Sequence, residues 1–561
     1  MVEEVVPTSD GLDPDPIDLP AEDSRGAFVR NTAVMSVGTT LSRLTGFLRL
    51  SVQTAALGVT VSALGNTYTT ANITPNIVYE LVLGGILTSV FVPVFVEWMQ
   101  KHGRDEAWLV ADRVLTIALV VLGAVAVLGA VFAPQIIRLY LLASDAPDKE
   151  QQVALGAYFL RWFMPQIVFY GIGAVATGLL NSERRFAAPM FAPILNNLVV
   201  IAAFGVYALL LGGGTPSVDD ITFAEKTVLA AGTTLGVMAM TMALWPSLRR
   251  LGFRWRLRFD WNHPAVRRLG KLALWVIVYV VANQVAYVII IVLTGRFPPG
   301  GFQIYASAFI LFQLPHAIFA VSIFTALLPA MSGRWADDDP TGVRTLFSRG
   351  LRDTAVVIIP AAFGYLVLAL PIVRLLLQHG NAGPADTEAI ARTLQAFAVG
   401  LPFFSAFQLL TRTFYAMQDT RTPALVNVAA ALVNVAADLA YIFWFGWGVP
   451  GLALGHATSY AFATVVCLIL LRDRLGGIDG RRVVRTVLRV VPASAAAAGA
   501  ALLASEGVQA LLGSDAGTAG WLAQVGAAIV AGLLVFVAST LIFHIEETEE
   551  VKEAVLRRFR R

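Results

Sequence analysis

Two arginines lie within the first long apolar segment of the sequence, where charged side chains are unusual. Arg43 and Arg49 are six residues apart in a segment that predicts a membrane-spanning helix over 30–57. An arginine at the bilayer centre costs about 2.5–3.5 kcal/mol unless it faces a cavity or a partner. The two side chains point about 120° apart on a helix, so both can line a wide cavity. Guanidinium groups in such a cavity suit phosphate, which they bind bidentately. The alternative is that the two side chains extend to the membrane interface.

Polar residues inside two other apolar segments are further candidates for contact with a substrate. Asn72, Asn76 and Glu80 interrupt the second segment, and Gln313 and His316 interrupt the eighth. Polar side chains within membrane segments face a bundle interior or a water-filled cavity and mark substrate pathways. We therefore predict that these five residues bind the substrate. For His316 a packing role is the more frequent alternative to a proton relay.

The same two segments contain helix-breaking residues. Pro75 and the pair Gly84-Gly85 lie in the second segment, and Pro315 lies in the eighth. Proline removes a backbone donor, so a bent or discontinuous helix is predicted at these positions. Broken helices are the moving parts of carriers, and these four residues are therefore predicted hinges. A static kink packed against neighbouring helices is the alternative.

A carboxylate in the eleventh apolar segment predicts an ion site. Asn434 and Asp438 are one helical turn apart among Ala, Val and Leu, and Thr458 of the next segment offers a neutral oxygen. An ionised Asp in hydrocarbon is costly unless a cation or a proton neutralises it. Na⁺ needs several oxygen ligands, including a backbone carbonyl near 451–455, whereas a proton needs only Asp438. The alternative is a buried hydrogen-bonded pair. No other cofactor is predicted.

The composition indicates that most of this chain is surrounded by lipid. Of 561 residues, 57% are hydrophobic and only 14% are charged, whereas about a quarter are charged in soluble proteins. No Gly-rich phosphate loop and no His-Glu-x-x-His motif occurs, so an ATP-driven pump and the common soluble enzymes are not predicted. The net charge of +3 is too small to indicate nucleic-acid binding. The single Cys467 excludes an intramolecular disulfide.

The elements that position these residues are fourteen apolar spans of about 20 residues or more. They cover 30–57, 62–98, 107–133, 151–180, 187–211, 223–246, 268–294, 303–331, 350–377, 389–416, 422–445, 449–471, 486–505 and 520–544. Lys and Arg gather on alternate sides in a ratio of 31 to 6, with Arg412 counted among the 31. This asymmetry predicts that both termini are cytoplasmic, and the acidic residues 1–28 predict a disordered tail.

An internal repeat organises the spans into two halves. Asn181 to Arg185, followed by Pro193 and Asn197, is echoed by Gln418 to Arg421, followed by Pro423 and Asn427. The two prolines and the two asparagines are each 230 residues apart. A repeat of this length suits two six-helix lobes related by a pseudo-two-fold axis. The predicted division is an N-lobe over 29–247, a C-lobe over 248–474, two additional helices over 475–545 and a basic cytoplasmic tail over 546–561.

The segment Ser42-Arg43-Leu44-Thr45-Gly46-Phe47-Leu48-Arg49 is similar to the signature Ser-Arg-x-x-Gly-Phe-x-Arg of MurJ/MviN-type lipid II flippases, within the multidrug/oligosaccharidyl-lipid/polysaccharide exporter superfamily. The turn from Asp419 to Pro423 also resembles that family. The resemblance implies a cavity between two lobes, alternating access, a groove for the polyprenyl tail at spans 13 and 14, and lipid II or a related polyprenyl-pyrophosphate glycolipid as cargo. It also implies a multi-pass protein of the bacterial inner membrane whose partners are membrane lipid and not nucleic acid.

The sequence departs from the family pattern at three places. Leu50 stands where an acidic residue commonly follows the second arginine, and neither Tyr79-Glu80 in span 2 nor Tyr305 to Ala308 in span 8 carries the family arginine. Another lipid-linked oligosaccharide or an amphiphilic drug is therefore the alternative cargo. A membrane scaffold without transport is a further alternative, although it leaves the buried charges without a purpose.

Overall fold

The computed structural model describes residues 22–80, 95, 98–99, 101–183, 185–297, 299–513, 517–545 and 547. Within its helices the side chains of residues 22–37, 268, 270–279 and 282 fall outside this description. The described residues form helices and connecting loops and include no β-strand. The predicted all-α class is therefore confirmed.

The helices are numbered here in chain order. They are α1 Glu22–Leu57, α2 Leu64–Glu80, α3 Arg104–Val131, α4 Ala133–Tyr140, α5 Lys149–Phe163, α6 Gln166–Ser182, α7 Ala187–Leu211, α8 Phe223–Met242, α9 Trp245–Arg250, α10 Pro264–Thr294, α11 Gly301–Pro315, α12 Val321–Ala336, α13 Pro340–Leu377, α14 Pro384–Ala416, α15 Arg421–Phe443, α16 Gly448–Leu475, α17 Gly480–Leu512 and α18 Gly517–Ile542. A π-helical turn, His316–Ala320, joins α11 to α12.

Eleven helical segments of the described chain are long and apolar enough to cross a bilayer. The other three predicted spans, 30–57, 62–98 and 268–294, coincide with α1, α2 and α10, and α2 is described only as far as Glu80. The architecture of about fourteen membrane helices is thereby confirmed. The helix α1 begins at Glu22, so it includes the last residues of the predicted tail 1–28. Of the predicted tail 546–561, only residue 547 is described.

The helix contacts repeat from one half of the chain to the other. In the first half α1 packs on α7, α7 on α8, and α2 on α5. In the second half the corresponding pairs are α10 with α15, α15 with α16, and α11 with α14. Two lobes with the same packing scheme follow from this pattern. The helices α17 and α18 pack on each other and on α13, outside the repeated scheme.

One asparagine in each lobe carries the repeat at the level of single contacts. Asn197 of α7 donates from Nδ2 to Thr45 Oγ1 of α1 at 3.0 Å, and Asn427 of α15 donates to Asn283 Oδ1 of α10 at 2.8 Å. A polar bond between helices in lipid contributes on average about 0.6 kcal/mol and restricts how the two helices rotate against each other. The helix that forms the fifth membrane span of each lobe, α7 or α15, is thus bonded to the helix that forms the first span of the same lobe, α1 or α10.

Candidate substrate cavity and ion site

The two arginines of α1 face different lobes. Arg43 is exposed, and its charge is close enough to His316 of the second lobe to act on it. Arg49 is half-buried, and its charge acts on Tyr68 and Tyr170 of the first lobe. This divergence matches the angle of about 120° expected from the helical repeat. Neither guanidinium has a hydrogen-bond or ion-pair partner within the part of the chain that is described.

A third arginine, which the charge count assigned to the cytoplasmic side, joins this region. Arg412 lies inside α14, one turn before the helix ends. Its guanidinium stacks over the ring of Phe324 at 4.9 Å, and its charge acts on His316 together with that of Arg43. Arg412 Nη1 is buried and has no hydrogen-bond partner among the described atoms. Arg43 and Arg412 therefore approach His316 from opposite lobes with donors that remain available.

His316 lies at the point where the α-helix gives way to the π turn. Pro315 ends α11, and its ring and missing N–H disfavour continuation of the regular helix. The His316 ring is buried, and its Nδ1 pairs with Ser405 Oγ of α14 at 3.0 Å. The predicted hinge Pro315 thus coincides with an actual change of helix type. Gln313 lies one turn before it and is half-buried.

The predicted residues of α2 make contacts within the first lobe. Asn76 donates from Nδ2 to Asn72 O at 2.7 Å and accepts at Oδ1 from the Tyr170 hydroxyl at 3.3 Å. Asn72 Oδ1 is buried without a hydrogen-bond partner in the described residues, and Glu80 is exposed. Pro75 is buried within α2, which is helical on both sides of it, whereas Gly84 and Gly85 lie outside the described residues.

The structure shows how the side chains at the three departures from the family signature are packed. Leu50 is buried in the apolar cluster that contains Tyr305 and Ala308. Tyr305 is fully buried and packs edge-on against Phe397 at 5.2 Å between ring centroids. A charged side chain at Leu50 would be surrounded by apolar side chains and would lose its hydration. At the departure in span 2, the ring of Tyr79 packs against the ring of Tyr170, with 4.3 Å between the ring centroids.

The acidic side chain and the amide side chain that were predicted to pair on α15 lie together. Asn434 Nδ2 donates to Asp438 Oδ2 at 3.2 Å, and both residues are buried. Asp438 Oδ1 has no hydrogen-bond partner among the described atoms and lies directly over Gly455 of α16, where a Cβ atom would overlap it. A carboxylate oxygen is therefore available for a cation or a proton.

Thr458 lies on α16 beside this pair but is engaged elsewhere. Its Oγ1 donates to Leu454 O at 2.9 Å and pairs with the Tyr441 hydroxyl at 3.0 Å. The described contacts therefore pair the Thr458 hydroxyl with these two groups and not with Asp438. The described residues contain no group of three or more His, Cys, Asp or Glu side chains that could hold a metal ion. A transition-metal centre is therefore not supported in this part of the chain.

The two lobes are joined at one end by a set of hydrogen bonds that we call the inter-lobe latch. Gln303 Nε2 donates to Gly58 O at 2.9 Å, and Thr60 N donates to Asp386 Oδ1 at 2.8 Å. The latch also includes Asn66 with Phe302 and Gln303, and Asn381 with Ala55 and Ala56. All described hydrogen bonds from α1, α2 and their connecting loop to the second lobe lie at this end, opposite the arginine-rich loops.

A family model described as lipid II flippase MurJ matches residues 54–515. The probable lipid II flippase MurJ of Rhizobium meliloti (strain 1021) is 28% identical over 447 residues, which cover 79% of this chain and 80% of the relative. The lipid II flippase MurJ of Burkholderia cenocepacia is 26% identical over 443 residues, covering 78% and 82%. The family model therefore extends from the last turn of α1 to the end of α17.

Solved structures share the fold at lower identity. A lipid II flippase MurJ in an inward closed conformation superposes with a TM-score of 0.72 at 21% identity, covering 92% of this chain and 99% of that one. An inward-facing multidrug transporter of the MATE family has a TM-score of 0.63 at 13% identity, covering 77% and 95%. Because the family model spans most of the sequence, this chain belongs to the lipid II flippase MurJ family, whose members are membrane transporters and not enzymes.

Proposed function

We propose that this chain moves lipid II across the bacterial plasma membrane by alternating access between its two lobes. The family and the names of its relatives support the cargo. The observation that carries the mechanism is the position of the inter-lobe latch relative to the arginines. The latch joins the lobes at the Leu57 end of α1, and Arg43 lies about 20 Å further along that helix. Closure at one end beyond an internal anion site is the arrangement that a carrier of this kind needs.

The pyrophosphate of the cargo is held between Arg43 of the first lobe and Arg412 of the second. Without cargo, two guanidinium groups that act on the same imidazole repel each other. A pyrophosphate neutralises both charges and accepts their hydrogen bonds, so its binding draws the lobes together at that level. Arg49 extends the positive surface toward the first lobe. Arg412 thereby supplies the charge that spans 2 and 8 lack.

The test replaces each arginine in cells depleted of the native protein and identifies the lipid that accumulates. Arg43→Ala and Arg412→Ala should each abolish support of cell-wall synthesis and cause lipid II to accumulate, while membrane insertion is retained. Arg392→Ala is the matched control, because this residue is also on α14 but forms an exposed pair with Glu388. Full complementation by the double variant would remove both arginines from the mechanism, and accumulation of a different lipid would change the cargo.

The coupling ion binds at Asn434 and Asp438 of α15. A buried carboxylate oxygen without a hydrogen bond is costly unless a cation or a proton satisfies it. For Na⁺, the ligands are Asp438, Asn434, the Leu454 carbonyl and a rotated Thr458; for a proton, Asp438 is sufficient. Purified protein decides between them: a Na⁺ site gives thermal stabilisation that rises with Na⁺ and is lost in Asp438→Asn. A proton site gives a dependence on pH but not on Na⁺.

The orientation follows from the charge asymmetry, which favours both termini on the cytoplasmic side. Arg256 lies on the arginine-rich side in the loop between α9 and α10, and its side chain is exposed. The sole cysteine, Cys467, is fully buried, so its background labelling is expected to be low. In intact cells, Arg256→Cys should resist an impermeant thiol reagent and react only after lysis. Labelling from outside would show that the orientation is the opposite one. The inter-lobe latch would then lie on the cytoplasmic side.

A further inference from the structure

A cavity of about 240 Å³ lies at the arginine-rich end of the molecule, away from the space between the lobes. It is bounded by α13, the first turns of α17 and the segment that follows α18. Its lining consists of Arg352, Arg482, Arg485, Thr486, Arg489, Ile545 and Glu547. The residues from α17 recur at intervals of three and four, so one face of that helix is turned into the cavity.

Positive charge in this cavity exceeds negative charge. Among the lining residues that the structure describes, Glu547 is the only carboxylate, and it is already bonded to Arg352 and, at 3.2 Å, to Thr486 Oγ1. Arg489 donates to the His544 carbonyl at 2.7 Å. Within the described chain, Arg482 and Arg485 have no ion-pair or hydrogen-bond partner, and Arg352 Nε is buried without an acceptor. The described lining residues therefore present several guanidinium donors that a phosphate group can bind.

The surroundings of the cavity indicate which molecule carries that phosphate. Leu488 on α17 is 69% exposed, and Leu541 and Ile542 at the end of α18 are 51% and 70% exposed. These apolar side chains lie within one or two turns of the arginines, on the two helices that pack outside the repeated lobes. A soluble phosphate would use only the arginines, whereas a phospholipid would also cover the apolar side chains with its acyl chains.

We propose that the cavity lined by Arg352, Arg482, Arg485 and Arg489 binds the phosphate of an anionic membrane phospholipid. The lipid binds α13, α17 and the segment after α18 together at the membrane surface. This site is separate from the cargo arginines, and the proposal does not depend on which substrate the protein transports.

The experiment measures the thermal unfolding midpoint of the purified full-length protein in detergent micelles. The protein is titrated with phosphatidylglycerol, with phosphatidylcholine or with inorganic phosphate. Phosphatidylglycerol should stabilise the native protein at lower concentration than phosphatidylcholine, and inorganic phosphate should have little effect. The double variant Arg482→Gln/Arg485→Gln should bind phosphatidylglycerol about tenfold more weakly or worse, since each arginine near a lipid phosphate contributes favourably. Both residues are exposed and lack described partners, so the variant should still fold.

The matched control is Arg472→Gln/Arg481→Gln, which removes the same charge from exposed positions at the same end of the molecule but outside the cavity. It should keep the native preference for phosphatidylglycerol. An unchanged preference in the Arg482/Arg485 variant, or an equal loss in the control, would overturn the site. Stabilisation by inorganic phosphate that matches that of phosphatidylglycerol would overturn the assignment to a lipid.

Discussion

In both lobes the corresponding pair of helices buries a polar side chain over a glycine, but the side chain and its level along the helices differ between the lobes. In the first lobe α7 packs on α8 with Asn196 over Gly236, and in the second α15 packs on α16 with Asp438 over Gly455. The Oδ1 atoms of Asn196 and Asp438 are both buried without a hydrogen-bond partner among the described residues. Only the carboxylate can change its charge. An ion can therefore bias the second crossing, while the first stays the same.

The largest effect is expected from removing that difference. Asp438→Asn keeps the size of the side chain but removes its charge, so we expect loss of complementation with an unchanged or higher unfolding midpoint, because a buried charge is replaced by a neutral amide. Asn196→Ala is the counterpart in the first lobe and should retain transport. Growth of a depleted strain and thermal unfolding of the purified variants measure the two effects. Normal growth with Asp438→Asn would mean that the lobes differ in sequence but not in role.

The two glycines beneath these side chains allow a finer comparison. In Gly455→Ala the new methyl group overlaps Asp438 Oδ1, and in Gly236→Ala it overlaps Asn196 Oδ1. Each substitution should destabilise the protein by about 1–3 kcal/mol, which is typical of overpacking. Only Gly455→Ala should also weaken the response of the unfolding midpoint to Na⁺ or pH. An equal change of that response in Gly236→Ala would contradict an ion site confined to the second lobe.

Replacing the asparagine that repeats in each lobe should lower stability by a smaller amount, which is similar in the two lobes. Asn197→Ala and Asn427→Ala each remove a side-chain hydrogen bond to the first helix of their lobe, and we expect a loss of about 1 kcal/mol in each case. Asn197→Ala should reduce transport more, because Asn197 also bonds Ser42 O next to Arg43, at 3.3 Å. A flipping assay on variants of equal stability separates the two contributions. Equal activities would show that Asn197 does not help to position Arg43.

The last effect is confined to the loop before α15, in the second lobe. Burial raises the pKa of Asp419, but hydrogen bonds from Thr422 and the charge of Arg474 outweigh it, so the net pKa lies below the ordinary value. A depressed pKa stabilises the folded state above the unfolded pKa of about 3.9, and this stabilisation is lost as pH falls through the folded value. Asp419→Asn should therefore cost about 1 kcal/mol at neutral pH. The difference from the native protein should shrink below about pH 4, as thermal unfolding at several pH values can test; a constant difference would contradict this role.

The fold could be predicted well from the sequence because membrane helices are specified locally. A run of about 20 apolar residues is sufficient to favour insertion, and basic residues between the runs favour one orientation. The helices α13 to α18 are examples, since each coincides with one predicted span. Asn434 and Asp438 could be paired for the same reason, because their contact needs only one turn of helix.

The candidate substrate site could be predicted only in part, because its residues come together according to how separate helices rotate against each other. Arg412 lies near the end of an apolar run and was counted with the cytoplasmic cations, yet its charge acts on His316, which is 96 residues away in the chain. Asn76 is a predicted substrate ligand, and the structure adds that its side-chain oxygen accepts a hydrogen bond from Tyr170, which is 94 residues away. Neither contact has a local signal in the sequence.

By itself, the sequence determined the helical class, the number of spans, the arginines of α1 and the acid–amide pair of α15, since each depends on residues within a few turns of one another. The tertiary structure alone decided that Arg43 and Arg412 approach one histidine from different lobes, and that the lobes are joined at the end remote from the arginine-rich loops. Those features arise from contacts between residues that lie far apart in the chain. Their free energy depends on the packing of whole helices, which no local pattern of residues records.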